Sequence, residues 1–191
     1  MSWPERLGEV YGDVGTVDGG TDPVAVDVPG ERWVEAVTLA RDALGCAYFD
    51  WLSAVDEGEA GFRVVCHLAA HRPGVVDHLV VRTLLPRERP AVASVVKVFA
   101  GARWHERETA EMFGIDVTEG GETLDLEPLL LPDEFDGHPL RKDFVLASRV
   151  ARAWPGGKEP GESESTPVLK RSRRPARPPG VPDPEEWGPH G

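Results

Sequence analysis

The first periodic pattern of apolar residues along the chain lies in residues 31–44. Apolar side chains recur there at the spacing of one helix face, at Trp33, Val37, Ala40 and Leu44. Gly45 follows, where a glycine commonly ends a helix. The spacing therefore predicts a helix over 31–44 with one buried face. Residues 1–30 are rich in Gly, Asp and Val and predict an irregular lead-in, with one short strand at Val24–Val28.

Three strand-like runs follow the helix, and turn-like residues separate them. These runs are Cys46–Ser53, Phe62–Ala70 and His78–Leu85. The second run alternates, which places Phe62, Val64, Cys66 and Leu68 on one face. Connections this short predict an antiparallel meander, because parallel neighbours need crossovers of about a dozen residues or more. Cys46 and Cys66 both fall in these runs, and we expect them to be buried structural thiols.

The remaining elements lie beyond Pro86. The apolar segment Ala91–Phe99 has no periodicity that decides between helix and strand. Residues Ala102–Phe113 predict a helix that Gly114 ends, and residues 115–136 read as an acidic loop. The order of elements indicates an α+β domain: a small antiparallel sheet covered by helices, with an extended C-terminal arm and a disordered tail.

The chain divides into four segments on composition. We expect an irregular lead-in over 1–30, an α+β core domain over 31–114 and an extended docking arm over 115–154. Residues 155–191 contain nine of the 18 prolines and too few apolar residues to offset the entropy of ordering, which predicts a disordered tail. The basic patch at 170–174 inside this tail is better explained by solvation than by contact with nucleic acid or lipid.

Charge excludes several classes of protein. The chain has 33 acidic and 21 basic residues, a formal charge of −12, which argues against nucleic-acid binding because phosphate contacts need a basic face. No apolar run approaches the ~18 residues of a membrane span, and the first ten residues lack the apolar core of a signal peptide. Two cysteines and no CxxC exclude a disulfide scaffold and CxxC-type metal sites, and they favour a cytoplasmic location.

The acidic residues are concentrated in one block. Residues 106–136 contain eleven acidic side chains and a single base, Arg107. Residues 138–154 then carry four bases and one acid. Such a block is either a solvated acidic loop or a docking surface for a basic partner, and charge alone does not decide between them.

Candidate catalytic and metal-binding residues are weak. His105 and Glu108 lie at i and i+3 of the predicted helix, but Thr109 replaces the second histidine of an HExxH zinc site. A third ligand is not evident, so solvent and ion-pair contacts are the better interpretation. The group Asp133, Glu134, Asp136 and His138 fits no EF-hand spacing. No nucleotide-binding or nucleophile motif is present, and the sequence predicts no catalytic, cofactor-binding or metal-binding residue.

Two polar segments are not explained by folding rules. The first is WHERETAEMFGI at 104–115 and the second is LPDEFDGHPLRKDF at 131–144. Together they resemble the signature of the 30-kilodalton subunit of proton-translocating NADH–quinone oxidoreductase, which is the C subunit of respiratory complex I. The resemblance covers about residues 31–150. The chain departs from it at Ala110-Glu111, where the family has an aromatic residue and Asp, and at 119–128, which lacks a family His and Arg pair. These departures keep open the alternative of a variant whose electron donor is not NADH.

The resemblance implies a non-catalytic scaffold in the peripheral arm of a multisubunit oxidoreductase. The complex passes electrons from NADH through FMN and iron–sulfur clusters to quinone, coupled to proton translocation, and the 30-kilodalton subunit binds none of these cofactors. Its implied partners are chiefly the quinone-site subunit (the D subunit), with the B and I subunits nearby. Its implied location is peripheral, on the cytoplasmic side of the bacterial inner membrane, with membrane association only through the complex.

The resemblance also implies the docking residues. They belong to the two motif segments: Glu106, Arg107, Glu108, Met112, Phe113, Gly114, Gly137, His138, Pro139, Leu140, Arg141, Lys142, Asp143 and Phe144. Charged members can form strong hydrogen bonds at a desolvated interface, and we expect residues 115–152 to wrap the neighbouring protein. Two alternatives stay open. One is the equivalent subunit of a membrane-bound hydrogenase or deazaflavin-dependent dehydrogenase, and the other is an independent metalloenzyme using His105 and Glu108.

Overall fold

Three α-helices and eight strands follow one another along residues 2–132 and 135–145, the part of the chain that the computed structural model describes. In chain order they are α1 (Trp3–Tyr11), β1 (Thr16–Asp18), β2 (Ala25–Asp27), α2 (Trp33–Asp42), β3 (Tyr48–Asp56), β4 (Phe62–Arg72), β5 (Val75–Leu85), β6 (Ala91–Ala93), α3 (Ala102–Phe113), β7 (Asp116–Glu119) and β8 (Glu122–Thr123). The predicted α+β class is confirmed. The disordered tail predicted for 155–191 lies outside the described residues.

Five strands form the main sheet in the order β1–β2–β5–β4–β3. The pairs β3–β4 and β4–β5 are antiparallel, which confirms the predicted meander. The predicted small antiparallel sheet is corrected at one pairing, because β2 joins β5 in parallel with Ala25 opposite Val80. The chain between β2 and β5 includes α2 and two strands, so it is long enough for the crossover that parallel pairing requires.

The core lies between one face of this sheet and the helices. The alternation predicted for β4 is confirmed, since Phe62, Val64, Cys66 and Leu68 are all fully buried. The stripe predicted for α2 is also buried. Helix α1 adds Leu7 and Tyr11 to this core, and the Tyr11 hydroxyl donates to the carbonyl of Ala36 at 2.8 Å.

The opposite sheet face is largely open to solvent. Its exposed apolar side chains are Tyr48, Trp51, Val55 and Leu84. Its charged side chains pair with one another: Arg63 binds Asp27 and Glu57, and Arg82 binds Asp18 and Asp27. This face therefore offers apolar area with these charges already neutralised.

The irregular lead-in predicted for residues 1–30 is corrected by α1, β1 and β2. Helix α1 begins with a capping box, in which the Ser2 hydroxyl accepts from the Glu5 N–H and the Glu5 carboxylate accepts from the Ser2 N–H. Pro4 lies at the helix start, where its missing N–H costs nothing. The strand predicted near Val24–Val28 is confirmed as β2.

The acidic loop predicted for 115–136 is corrected in its first part. Strands β7 and β8 form a hairpin, and β7 pairs in parallel with β6 to make a second, three-stranded sheet. Acidic side chains in β7 point outward while Val117 is buried. The strand is therefore amphipathic, but it is too short and too acidic for its alternation of polar and apolar residues to be recognised in the sequence. The apolar segment Ala91–Phe99 contains β6 followed by turns.

The two cysteines are buried, as predicted, although only Cys66 lies in a strand. Cys46 precedes β3 because the strand begins at Tyr48. Burial raises the pKa of the Cys46 thiol to about 12 and raises that of Cys66 as well. Both thiols are therefore protonated and act as small apolar groups.

Candidate functional site

The two motif segments contact each other within the chain. Helix α3 carries the first, and the described residues 124–132 and 135–145, called the arm below, carry most of the second. An α-helix leaves its last four carbonyl groups without intrahelical partners. In this chain the arm satisfies most of those groups, which gives the polar side chains of the second motif a partner inside the fold.

The helix ends at Gly114, which adopts the left-handed conformation with φ 64°. Its N–H donates to the carbonyl of Ala110 at 2.8 Å. The next carbonyl, that of Glu111, accepts from Nδ1 of His138 at 2.8 Å. Because a carbonyl can only accept, Nδ1 of His138 carries the proton.

The last carbonyls of the helix receive donors from the same stretch of arm. The N–H of Leu140 donates to the carbonyl of Met112 at 3.1 Å. The guanidinium of Arg141 donates through Nε to the carbonyl of Phe113 and through Nη2 to that of Gly114, the latter at 3.1 Å. A cation here also faces the negative end of the helix dipole. Arg141 therefore acts as a C-terminal cap of α3.

The outward face of α3 holds the preceding part of the arm. The Glu111 carboxylate accepts the three successive N–H groups of residues 129–131, at 2.7 Å for Leu131. The guanidinium of Arg107 donates to the carbonyls of Glu127 and Pro128 at 2.9 and 2.7 Å. The Glu111 carboxylate thus binds backbone N–H groups of the arm, and the Arg107 guanidinium binds backbone carbonyls of residues 127 and 128.

A second attachment joins the arm to the end of the main sheet. Asp56, at the end of β3, is buried and accepts from the N–H groups of Lys142 and Gly58 and from Arg87, each at 2.8 Å. Burial alone would raise the pKa of Asp56, but these hydrogen bonds outweigh it and hold the pKa below its ordinary value. Arg87 also donates to Asp143 at 3.1 Å.

The ring of Phe62 lies under both guanidinium groups of this region. Arg141 and Arg87 lie 5.0 and 5.2 Å from its centroid, within the range of cation–π contacts. Phe62 also packs edge-on against Phe113 at 6.4 Å between ring centroids. The end of α3, the arm and the first residue of β4 therefore form one packed unit.

Glu106 faces the interior. It is 3% exposed, and its carboxylate accepts from the N–H of Val95 at 2.7 Å and from the Ser94 hydroxyl at 2.8 Å. Burial raises its pKa, which these hydrogen bonds only partly offset. Glu106 therefore holds the turn after β6, inside the fold.

Within the described residues, the candidate metal pair His105 and Glu108 has no third ligand. Nδ1 of His105 lies 3.2 Å from the carbonyl of Leu52, and its ring packs edge-on against Phe49 at 5.3 Å. Residues 2–132 and 135–145 contain no group of three or more His, Cys, Asp or Glu side chains placed to hold a metal ion. Asp133 and Glu134 lie outside the described residues.

The predicted docking residues fall into distinct environments. Some are buried, namely Glu106, Met112 and Phe113. Others bind the chain's own backbone, namely Arg107, His138 and Arg141. Exposed members are Leu140, Lys142 and Asp143, and half-buried ones are Glu108, Gly114, Gly137, Pro139 and Phe144. Phe144 stacks on Phe135 at 5.9 Å. Only the exposed and half-buried members have surface free to meet a neighbour.

Three anchoring residues were absent from the predicted set: Asp56, Arg87 and Glu111. Asp56 and Arg87 lie far from both motifs in sequence, so no local spacing relates them to the arm. Glu111 lies inside the first motif, at a position where the chain departs from the family pattern. A signal for Glu111 was available in the sequence, because the resemblance implies another carboxylate, that of Asp, at the same position.

A cavity of about 400 Å³ lies beneath the arm, between α3 and the β7–β8 hairpin. Its lining includes Glu111 and His138, whose hydrogen bonds to backbone groups are described above. The apolar part of its wall comes from residues such as Ile115 and Val117.

Among the described residues no helix has the length and apolar character to cross a membrane.

Comparison with known proteins relates these features to a family. Residues 26–150 match the family model "Respiratory-chain NADH dehydrogenase, 30 Kd subunit". The chain is 39% identical over 102 residues to the C subunit of NADH-quinone oxidoreductase from Chloroherpeton thalassium, covering 52% of this chain and 40% of that protein, which is less than half its length. It is 41% identical over 118 residues to the C subunit of F420H2 dehydrogenase from Methanosarcina mazei, covering 56% of this chain and 69% of that one.

A solved structure supports the same relationship. The fold is similar to that of the trypsin-resistant fragment of Nqo5, residues 1–134, with a TM-score of 0.54 and 25% sequence identity. The similarity covers 65% of this chain and the whole of that fragment. The α+β core described above is therefore shared with a solved protein.

Proposed function

The chain belongs to the family of the 30-kilodalton subunit of respiratory-chain NADH dehydrogenase, and from this we propose that it is a non-catalytic structural subunit of the peripheral arm of a complex I-type oxidoreductase. In this role it supports electron transfer from NADH through FMN and iron–sulfur clusters to quinone, coupled to proton translocation. The cofactors belong to other subunits. The chain itself contributes a surface that binds the neighbouring subunits and holds them in place.

One observation carries this proposal: four polar side chains of the two motif segments, Arg107, Glu111, His138 and Arg141, bind backbone groups of the same chain. Arg141, His138 and Glu111 direct their hydrogen bonds to the end of α3 and to the arm. Groups committed in this way hold a backbone in one shape and leave little capacity for binding a substrate. A rigidly held arm suits a scaffold, because preorganisation lowers the entropy lost on association.

The proposed partners are the quinone-site (D) subunit, with the B and I subunits nearby. The arm presents the exposed side chains of Leu140, Lys142 and Asp143 along its outer side, which provides apolar and charged contacts for a neighbour. The proposed location is peripheral, on the cytoplasmic side of the bacterial inner membrane, with attachment to the membrane only through the assembled complex.

Native purification tests this role. A tagged chain is purified from its own host under mild conditions, and the co-purifying proteins are identified by mass spectrometry. We expect the D, B and I subunits in stoichiometric amounts, and we expect co-expression with the quinone-site subunit to raise the soluble yield of the chain. A monodisperse monomer that ignores the quinone-site subunit would contradict the proposal. Tightly bound stoichiometric zinc or iron would instead favour a metalloenzyme that uses His105 and Glu108.

A related machine is the second candidate. The similarity to the C subunit of an F420H2 dehydrogenase, together with the departures at 110–111 and 119–128, supports this alternative, in which the electron donor is not NADH. A membrane-bound hydrogenase is the other related machine that this alternative includes. The same purification separates these cases. NADH-oxidising flavoprotein subunits in the complex and NADH–quinone activity support the first candidate, and their absence with activity toward reduced F420 or hydrogen supports the second.

A further inference from the structure

The outward face of α3 and the adjoining stretch of arm expose two large apolar side chains. Trp104 and Leu130 are each 60% exposed. Arg107 joins the Trp104 ring to the arm: its guanidinium is 5.3 Å from the centroid of that ring and donates to the carbonyls of Glu127 and Pro128. Trp104, Arg107 and Glu111 share one helix face because they lie at i, i+3 and i+7. We call this region, with Glu108, Asp125, Glu127 and Leu130, the α3 surface.

The α3 surface is held rigidly. Glu111 fixes the backbone of residues 129–131, which turns Leu131 toward the core and leaves Leu130 outside. Arg107 restrains both Trp104 and the arm backbone. An exposed aromatic residue in a fixed orientation loses little entropy on binding, which is the character of residues that dominate interface energies.

Charge distinguishes this surface from the open face of the main sheet. The sheet face pairs its charges internally, with Arg63 and Arg82 bound to acidic neighbours. On the α3 surface, the ion pairs among residues 2–132 and 135–145 do not include Glu108, Asp125 or Glu127. Apolar anchors beside such carboxylates are complementary to a basic partner surface.

We propose that the α3 surface docks onto a neighbouring protein subunit through an apolar pocket surrounded by Lys and Arg side chains. Trp104 and Leu130 fill the pocket, and the carboxylates of Glu108, Asp125 and Glu127 pair with the basic rim. Charge complementarity selects this occupant over a second copy of the chain. The carboxylates of Glu108, Glu111, Asp125 and Glu127 outnumber the neighbouring bases Arg103 and Arg107, so two such surfaces would repel each other. The proposal rests on the function proposed above, because it takes the neighbour to be a subunit of the same complex.

Site-specific photo-crosslinking in the assembled complex tests the proposal. A benzoylphenylalanine is placed at Leu130, or at Tyr48 on the open sheet face as a control, and the chain is co-expressed with the D, B and I subunits. We expect the probe at 130 to crosslink to a segment of another subunit in which Lys and Arg flank apolar residues. A crosslink from 130 to a second copy of this chain, or to a segment without basic residues, overturns the proposal.

Two matched variants measure the contribution of the surface. Trp104→Ala is expected to weaken association with the other subunits at least tenfold, whereas Trp51→Ala on the sheet face changes it less than twofold. Trp104 is 60% exposed, so thermal unfolding of its variant should be nearly unchanged. Trp51 is 38% exposed and stacks on His67 at 5.7 Å, so the two variants are compared at a temperature at which both remain folded. Raising the salt concentration is expected to weaken association of the unaltered chain, because rim charges are screened. Association that Trp104→Ala or salt leaves unchanged refutes the docking surface.

The outcomes for the two proposals are separable. If the unaltered chain co-purifies with none of the three subunits, the proposed function fails. If the unaltered chain associates normally and the Trp104→Ala variant associates equally well, only the docking surface fails. A loss of association with Trp51→Ala alone assigns the interface to the sheet face and also overturns the inference.

Discussion

Replacing Gly114 by alanine is expected to detach the arm from the end of α3. Gly114 has φ 64°, in the left-handed region that residues with a side chain rarely adopt. A Cβ built at this position would collide with Nη2 of Arg141 and with the imidazole ring of His138. Both side chains are the caps of the helix, so neither can move without losing its hydrogen bonds to the backbone.

The magnitude follows from two contributions. Placing an L side chain in the left-handed region costs roughly 1–2 kcal/mol. Displacing the charged hydrogen bonds of Arg141 costs about 1.5–3 kcal/mol more. The Gly114→Ala substitution is therefore expected to lower the free energy of unfolding by about 4 kcal/mol. For a chain of this size, that corresponds to a melting temperature lower by roughly 8–16 °C.

Gly120→Ala is the matched control. Gly120 has nearly the same backbone conformation, φ 62°, but its added Cβ meets no atom within 4 Å. The control carries only the backbone cost of roughly 1–2 kcal/mol. Urea unfolding followed by tryptophan fluorescence measures both variants. Amide hydrogen exchange adds a local readout, since the Leu140 N–H that donates to Met112 should lose protection in Gly114→Ala and keep it in Gly120→Ala.

Equal destabilisation by the two substitutions would refute this reasoning, because the steric contribution at Gly114 would then be absent. Unchanged protection of the Leu140 amide in Gly114→Ala would do the same for the coupling between the glycine and the arm. A large stability loss with the arm still protected would place the damage inside α3 instead.

Two carboxylates are expected to respond oppositely to pH. The pKa of Asp56 is lowered, so its contribution is present above its ordinary pKa of 3.8 and is lost as the pH falls through the lowered value. Asp56→Asn should cost about 2 kcal/mol at neutral pH and abolish this acid loss, measured by urea unfolding from neutral pH to well below pH 3.8. The pKa of Glu106 is raised, so stability should fall as the pH rises from 4.5 through the raised value. Glu106→Gln should flatten the dependence of stability on pH at nearly unchanged stability, because an amide can accept from Val95 and donate to Ser94. Glu106→Ala should lose about 2 kcal/mol of unfolding free energy. A retained pH slope in Glu106→Gln would contradict the assignment of this slope to Glu106.

Sequence patterns predicted the elements whose signal is local. The alternation in β4, the helical stripe of α2 and the glycine that ends α3 all depend on residues within a few positions of one another. The pairing of β6 with β7 was not predictable in this way, because three and four residues at distant positions carry no shared periodicity. Helix α1 was missed for another reason: its S-x-x-E capping box was present in the sequence and outweighed by the glycine content of residues 1–30.

The sequence allowed the polar side chains of the candidate site to be predicted, but it did not allow their binding partners to be predicted. The sequence displays His138, Arg141 and Glu111 as polar side chains, but their partners are backbone carbonyl and N–H groups. Every residue carries a backbone carbonyl and nearly every residue an N–H, so no pattern of residue types marks which of them will be bound. A charged motif whose partners are backbone groups of its own chain has the same sequence pattern as a docking surface, so the sequence alone does not separate the two roles.

Intrachain binding also explains a departure from the family pattern. The resemblance leads one to expect Asp where the chain has Glu111, and the structure requires a carboxylate there to accept three backbone N–H groups. Glu meets that requirement with one more methylene of reach. Arg107 adds a second contact from the helix side, donating to the backbone carbonyls of Glu127 and Pro128. What remains free for a partner is then the set of side chains that these contacts hold outward, with Trp104 and Leu130 foremost.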